Sequence, residues 1–124
     1  MIGPILPTIT CTVVTKGRVS MLVKAINCYM SQTYKNKNMV IVSQGTASQN
    51  QAIRNHLRLL NRPDIEFYEA HSTTTLGMMR NTSVELAKGQ IICQWDDDDL
   101  YHPDRLATQY DTLRVDSSVV ASLY

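Results

Sequence analysis

The sequence predicts an α/β protein, a mostly parallel sheet flanked by helices. Short β-branched runs alternate with segments whose apolar residues recur at helical spacing. No internal repeat, low-complexity tract or linker interrupts that alternation, and 124 residues with 44% hydrophobic and 19% charged content suit one globular domain, residues 1–124.

"TITCTVV" (8–14) reads as the first strand, and it leads into a helix on which Leu22, Ala25, Ile26, Tyr29 and Met30 share a face. "NMVIV" (38–42) is the second strand. It stops at "SQGTASQN", whose Ser, Gly and Asn supply turn and N-cap chemistry for a helix with Ala52, Ile53, Leu57 and Leu60 on one side. "DIEFYEA" (64–70) is the third strand. A helix over 76–88 presents Leu76, Met79, Val84 and Ala87, with Gly89 suited to a left-handed C-terminal cap. "QIICQW" is the fourth strand, Pro103 suits the first turn of a helix carrying Leu106, Tyr110 and Leu113, and "SSVVASLY" reads as a final strand. That last strand is an apolar sheet edge and makes a homo-oligomer an expectation.

The formal charge of +1 hides an asymmetry, since all 11 acidic residues lie from Asp64 onward while eight of the 12 basic ones precede it. A basic early half and an acidic later cluster suit an anion bridged by a cation, such as a nucleotide diphosphate with a divalent metal. For most of these side chains a solvated face is the plainer account. Nucleic acid is not an expected partner, because the basic residues are not interleaved with aromatics. No apolar stretch is long enough for a transmembrane segment and the N-terminus lacks a basic signal region, so the expected location is cytoplasmic. Cys11, Cys28 and Cys93 are odd in number, widely spaced and in apolar surroundings, which predicts reduced, buried thiols.

Asp96 to Asp99 follow directly on the fourth strand, so they belong at its carboxyl end, where parallel α/β sheets receive ligands. Alternation along an extended segment lets Asp96 and Asp98 point together, with Asp97 and Asp99 the other way. Two such carboxylates about 6 Å apart repel by about 3 kcal/mol at an effective dielectric of 20, a cost that a divalent cation removes. Hard oxygen donors suit Mg²⁺, Mn²⁺ or Ca²⁺. The competing account is a solvated acidic turn at the start of the next helix. His102 beside the aspartates and Trp95 before them read as packing residues.

The stretch "TLGMMRNTSVELAKGQIICQWDDDDLYHPDRL" (75–106) resembles the donor-binding core of family 2 glycosyltransferases through Gly77, Arg80, Asn81, Ala87, Gly89, Asp96, Asp98, Asp99 and Pro103. Upstream, Thr15, Arg18, Ala25 and "SQTY" are in register with the same family. The resemblance implies the Rossmann-like nucleotide-binding half of a glycosyltransferase-A fold, in an incomplete or minimal form. It implies a nucleotide-diphosphate sugar as donor and Mn²⁺ or Mg²⁺ as cofactor, with Asp98 as main metal ligand, Asp96 beside it, and Asp96 or Asp97 near the ribose. Thr15 and Arg80 would line the base pocket, with Arg18 and Gly77 nearby. Ser43 departs from the pattern: "SQGT" stands where the family shows Asp-Asp-Gly-Ser, and a serine lacks the carboxylate that accepts strongly from a base N–H. A catalytic base, which an inverting transfer needs, is not identified in the sequence. A sugar nucleotidyltransferase and a non-catalytic nucleotide- or metal-binding domain are the alternatives. The first of these calls for a Gly-rich loop after the first strand, which "TKGRVS" scarcely provides.

Overall fold

In a computed structural model, residues 6–97 and 100–115 are described, with side chains through Leu113. β1 (Ile9–Thr15) leads through α1 (Val19–Met30) to β2 (Lys37–Ser43), then through α2 (Ala47–Leu60) to β3 (Ile65–Glu69). α3 (Leu76–Leu86) carries the chain to β4 (Ile91–Gln94), and α4 (Arg105–Val115) follows. The four strands form one sheet in the order β3-β2-β1-β4, and every pair is parallel. The expected fold class is the observed one.

The faces follow from alternation. Ile9, Cys11, Val13, Met39, Ile41 and Cys93 point to one side, where they pack with Leu22, Ala25, Ile26 and Tyr29 of α1, Ile53 of α2 and Leu106 of α4. Val40 and Val42 point to the other side, under Met79 of α3. With α1 and α2 on one face and α3 on the other, the chain reverses direction between β3 and β4, which places β4 beside β1. A cleft opens at such a reversal, at the carboxyl ends of β1 and β4.

Local chemistry sets the element ends. Thr46 caps α2 by accepting from the Gln49 N–H at 3.2 Å, while Gln49 Oε1 accepts from the Thr46 N–H at 2.8 Å, a reciprocal capping box. Asn61 closes the helix in the left-handed region at φ 50°. Thr75 caps α3 by accepting from the Met78 N–H. Trp95 is fully buried and its indole donates to the Ala25 carbonyl at 2.9 Å, so the residue before the aspartates belongs to the core, as expected.

Four expectations need correcting. Ala52 is exposed, and Asn50 with Ile53 forms the buried stripe of α2, because Asn50 turns inward to the β2 end. On α3, Leu76 and Val84 are exposed and Ser83 is buried with Met79, since the helix meets the sheet along a narrow line. Gly89 is not a left-handed cap: α3 ends on Ala87 in an extended conformation. Its smallness answers to close approach instead, for a Cβ there would lie 2.6 Å from Thr10 Oγ1 and 2.7 Å from the Thr8 carbonyl. Pro103 lies in a turn ahead of α4, where its carbonyl accepts from the Thr33 N–H at 2.8 Å.

The three cysteines are free thiols, with Cys11 and Cys93 buried opposite one another on β1 and β4, whereas Cys28, expected to be buried, is only half-buried on α1. Burial pushes both thiols up from their ordinary pKa. Among the described residues, no helix is long and apolar enough to cross a membrane. The expected strand over 117–124 and the carboxylates of Asp98 and Asp99 lie outside the described residues.

Candidate functional site

At the carboxyl ends of β1 and β4, Val14, Thr15, Lys16, Arg18, Leu76, Met79, Arg80, Asp96 and Asp97 enclose a cleft of about 270 Å³. Asp97 anchors it. Its carboxylate is 4% exposed and accepts from Thr15 Oγ1 at 2.7 Å and from Arg18 Nη2 at 2.8 Å, one bond to each oxygen. Arg18 is half exposed, so its far side stays open to the cleft mouth. Thr15 Oγ1 in turn accepts from the Gly17 N–H at 3.2 Å, which ties the β1–α1 turn to the same carboxylate. A buried charge is tolerated when it is paired and hydrogen-bonded, and Asp97 satisfies both conditions.

Asp96 differs from its neighbour. It is half-buried, it accepts from Gln94 Nε2 at 3.2 Å, and its N–H donates to the Tyr101 hydroxyl at 2.7 Å. The two aspartates that line the cleft therefore differ in partners, Asp97 committed to Thr15 and Arg18 and Asp96 to Gln94. Arg80 faces the same space from the exposed side of α3. Two carboxylates and three cations, Lys16, Arg18 and Arg80, thus meet at one sheet edge.

Ser43 and Gly77 stand apart from that group. Ser43 is fully buried at the end of β2, where it donates to Asn50 Oδ1 at 2.7 Å and accepts from the Gly45 N–H at 3.2 Å. Gly77 is exposed in the first turn of α3, with open space where a Cβ would stand.

Two contributors gave only a faint signal in the sequence. Gln44 Nε2 donates to the carbonyls of His71 at 3.1 Å, Ser72 at 2.9 Å and Thr74 at 2.6 Å, and so holds the β3–α3 loop against the end of β2. Gly17, at φ +89°, lies against Gly45, which brings the β1–α1 and β2–α2 turns together beside the cleft. For Gln44 the only hint was its place in the turn after β2. For Gly17 it was a lone glycine after a strand.

Hard oxygen donors in this cleft suit a Mg²⁺- or Mn²⁺-type ion held by one or two carboxylates and completed by ligand oxygens. Among the described residues, no group of three or more His, Cys, Asp or Glu side chains is placed to hold an ion by protein alone. Asp96 fits the first arrangement, since it lines the cleft and its carboxylate has no ion-pair partner among the described residues.

A parallel sheet with carboxylates and cations at its switch point defines an α/β protein of the class that receives ligands at the carboxyl ends of its strands. Residues 10–124 match the family model described as glycosyl transferase family 2, and the chain belongs to that family. WcaA of Escherichia coli (strain K12), named for glycosyl transfer in colanic acid biosynthesis, is 31% identical over 101 residues, covering 82% of this chain and 36% of the relative. Among solved structures, the chain is similar to the mannosyltransferase PcManGT from Pyrobaculum calidifontis in complex with GDP-Man and Mn²⁺. The TM-score is 0.66 at 24% identity over 82% of this chain and 30% of the other. It is also similar to S. aureus TarS in complex with UDP-GlcNAc, at a TM-score of 0.75 and 17% identity over 87% and 31% of the two chains. At these identities the two structures establish the fold. The chain spans about a third of the length of each of these proteins.

Proposed function

We propose that the cleft between β1 and β4 binds a nucleotide-diphosphate sugar together with Mn²⁺ or Mg²⁺, and that the chain contributes this donor site to glycosyl transfer. The observation that carries the reading is the division of labour between adjacent aspartates: Asp97 is locked to Thr15 and Arg18, while Asp96 lines the cleft with Arg80 and has no ion-pair partner among the described residues. A pyrophosphate needs cations, and Lys16, Arg18 and Arg80 surround the cleft. Asp96, with Asp98, would hold the ion. When bound, such an ion neutralises charge developing on the departing diphosphate.

Thr15 and Asp97 would then set the position of the ribose and base, and the buried Ser43 would act by shaping the β2 turn through Asn50 and Gly45. GDP-Man and UDP-GlcNAc in the similar structures support a donor of this chemical type. The sugar nucleotidyltransferase alternative calls for a Gly-rich loop after β1, and the turn between β1 and α1 holds a single glycine, Gly17.

Calorimetric titration with UDP, GDP, UDP-GlcNAc and GDP-mannose, with and without Mn²⁺, tests the reading. Binding that requires Mn²⁺ and falls at least tenfold, about 1.4 kcal/mol, in Asp96→Asn and Asp98→Ala is expected. Binding of equal strength in the wild type and both variants would overturn it.

A further inference from the structure

At the end of β4 the Trp95 N–H donates to the Thr12 carbonyl of β1 at 2.8 Å, and the next N–H, that of Asp96, donates to the Tyr101 hydroxyl at 2.7 Å. Tyr101 lies five residues further along, so this bond folds the chain after Asp96 back on itself. Asp96 lines the cleft, and the bond fixes the peptide that carries its side chain.

The hydroxyl is placed by groups that do not line the cleft. The Tyr101 ring lies 4.1 Å from the Trp95 ring, centroid to centroid, and the Arg105 guanidinium carbon stands 4.0 Å from the Tyr101 centroid. Trp95 is fully buried and bonded through its indole to the Ala25 carbonyl, and Arg105 is buried as well. Just beyond Tyr101, Gln32 pins the chain to the end of α1. It is fully buried, its Nε2 donates to the His102 carbonyl at 2.9 Å, and its Oε1 accepts from the Leu106 N–H at 3.1 Å. The Thr33 N–H donates to the Pro103 carbonyl at 2.8 Å. Tyr101 is thus held between a stack rooted in the core and a pinned segment, and none of these contacts uses a carboxylate.

We propose that Tyr101 is a positioning residue for Asp96: its hydroxyl, fixed by the core, sets the Asp96 peptide and so places the carboxylate for a divalent ion. The inference rests on the proposed donor site and adds to it a residue outside the cleft. Mg²⁺-type ions demand close ligand geometry, and a group that orients a ligand through one hydrogen bond typically governs metal affinity by about 10–100-fold. A ligand whose backbone is already fixed also loses less freedom when the ion arrives. Tyr101→Phe keeps the ring between Trp95 and Arg105 and removes only the acceptor, which leaves the Asp96 N–H without its partner.

The experiment titrates the intact chain with Mn²⁺ at fixed UDP or GDP, in the wild type, Tyr101→Phe, Asp96→Asn and the double variant. Hydrogen exchange of the Asp96 amide is read by NMR in the metal-free wild type. The Mn²⁺ concentration for half-maximal nucleotide binding is expected to rise about tenfold in Tyr101→Phe. The double variant is expected to match Asp96→Asn alone, because the hydroxyl acts through that carboxylate. Wild-type behaviour of Tyr101→Phe would overturn the inference while leaving the donor site standing. Losses that multiply in the double variant would do the same, since they mark a hydroxyl that only supports the fold. An Asp96 amide that exchanges in the wild type as fast as an unprotected one would overturn the inference without recourse to any variant. Asp96→Asn with the wild-type Mn²⁺ requirement, or a wild type that takes neither nucleotide with Mn²⁺, would overturn the donor site and this inference together.

Discussion

Asp97 joins residues far apart in the chain, and its replacement should be felt twice. Asp97→Asn leaves a hydrogen-bonding amide beside Thr15 but removes the charge facing Arg18. The expected outcome is a loss of about 1–3 kcal/mol in urea unfolding, the range for disrupting a buried charged hydrogen bond, with weaker nucleotide binding by titration calorimetry. Asp64 offers a pH test. Its bidentate partner Arg62, at 2.8 Å to each oxygen, holds its carboxyl below the ordinary range, and the Tyr29 hydroxyl adds to the effect. A lowered folded pKa means stability that is present above the unfolded value and lost as pH falls through the folded one. Asp64→Asn should therefore flatten the decline of melting temperature on acidification, measured by calorimetry from neutral pH downward. The aspartate cluster was legible because four acids abutting an apolar run have few structural uses. The Arg18–Asp97 pair was not, for a contact across 79 residues depends on which strands become neighbours. Ser43 shows a related limit: its hydroxyl suits a base edge, but full burial and Asn50 direct it inward.

Elements differ in how openly they announce themselves. Strands β1 and β2 are β-branched and buried along most of their length, so composition locates them to within a residue or two. α3 is harder, because its apolar residues outnumber those it buries and spacing alone cannot say which contact the sheet. The turns carry the clearest element-scale predictions. At Gly17, φ is +89° and a Cβ would lie 2.5 Å from Gln49 Oε1 and 2.6 Å from Gly45 Cα. Gly17→Ala should cost about 1–3 kcal/mol through backbone strain alone, and more if Gly45 cannot yield, as a shift in urea midpoint. Thr46→Ala removes the capping hydroxyl of α2 and should cost about 1 kcal/mol in the same assay. The Thr46 cap could be anticipated from "GTASQ"; the meeting of Gly17 with Gly45 could not, because it joins two turns across the sheet.

At the scale of the molecule, alternation of strands and helices was enough to indicate a parallel sheet, yet not its strand order. The order β3-β2-β1-β4 follows from placing α3 opposite α1 and α2, a choice made by packing rather than by local propensity. The same layering shields the thiols of Cys11 and Cys93 while leaving Cys28 half-buried. A thiol reagent under native conditions should label Cys28 first, and mass spectrometry should find Cys11 and Cys93 modified only as the protein unfolds. The strand order also fixes a sequence in time. Thr15 emerges early from a ribosome and must wait 82 residues for Asp97, the carboxylate to which its hydroxyl donates. Nascent polypeptides that stop short of β4 lack Asp97, so the proposed nucleotide capture should appear only in a late refolding phase, when the most distant partners meet.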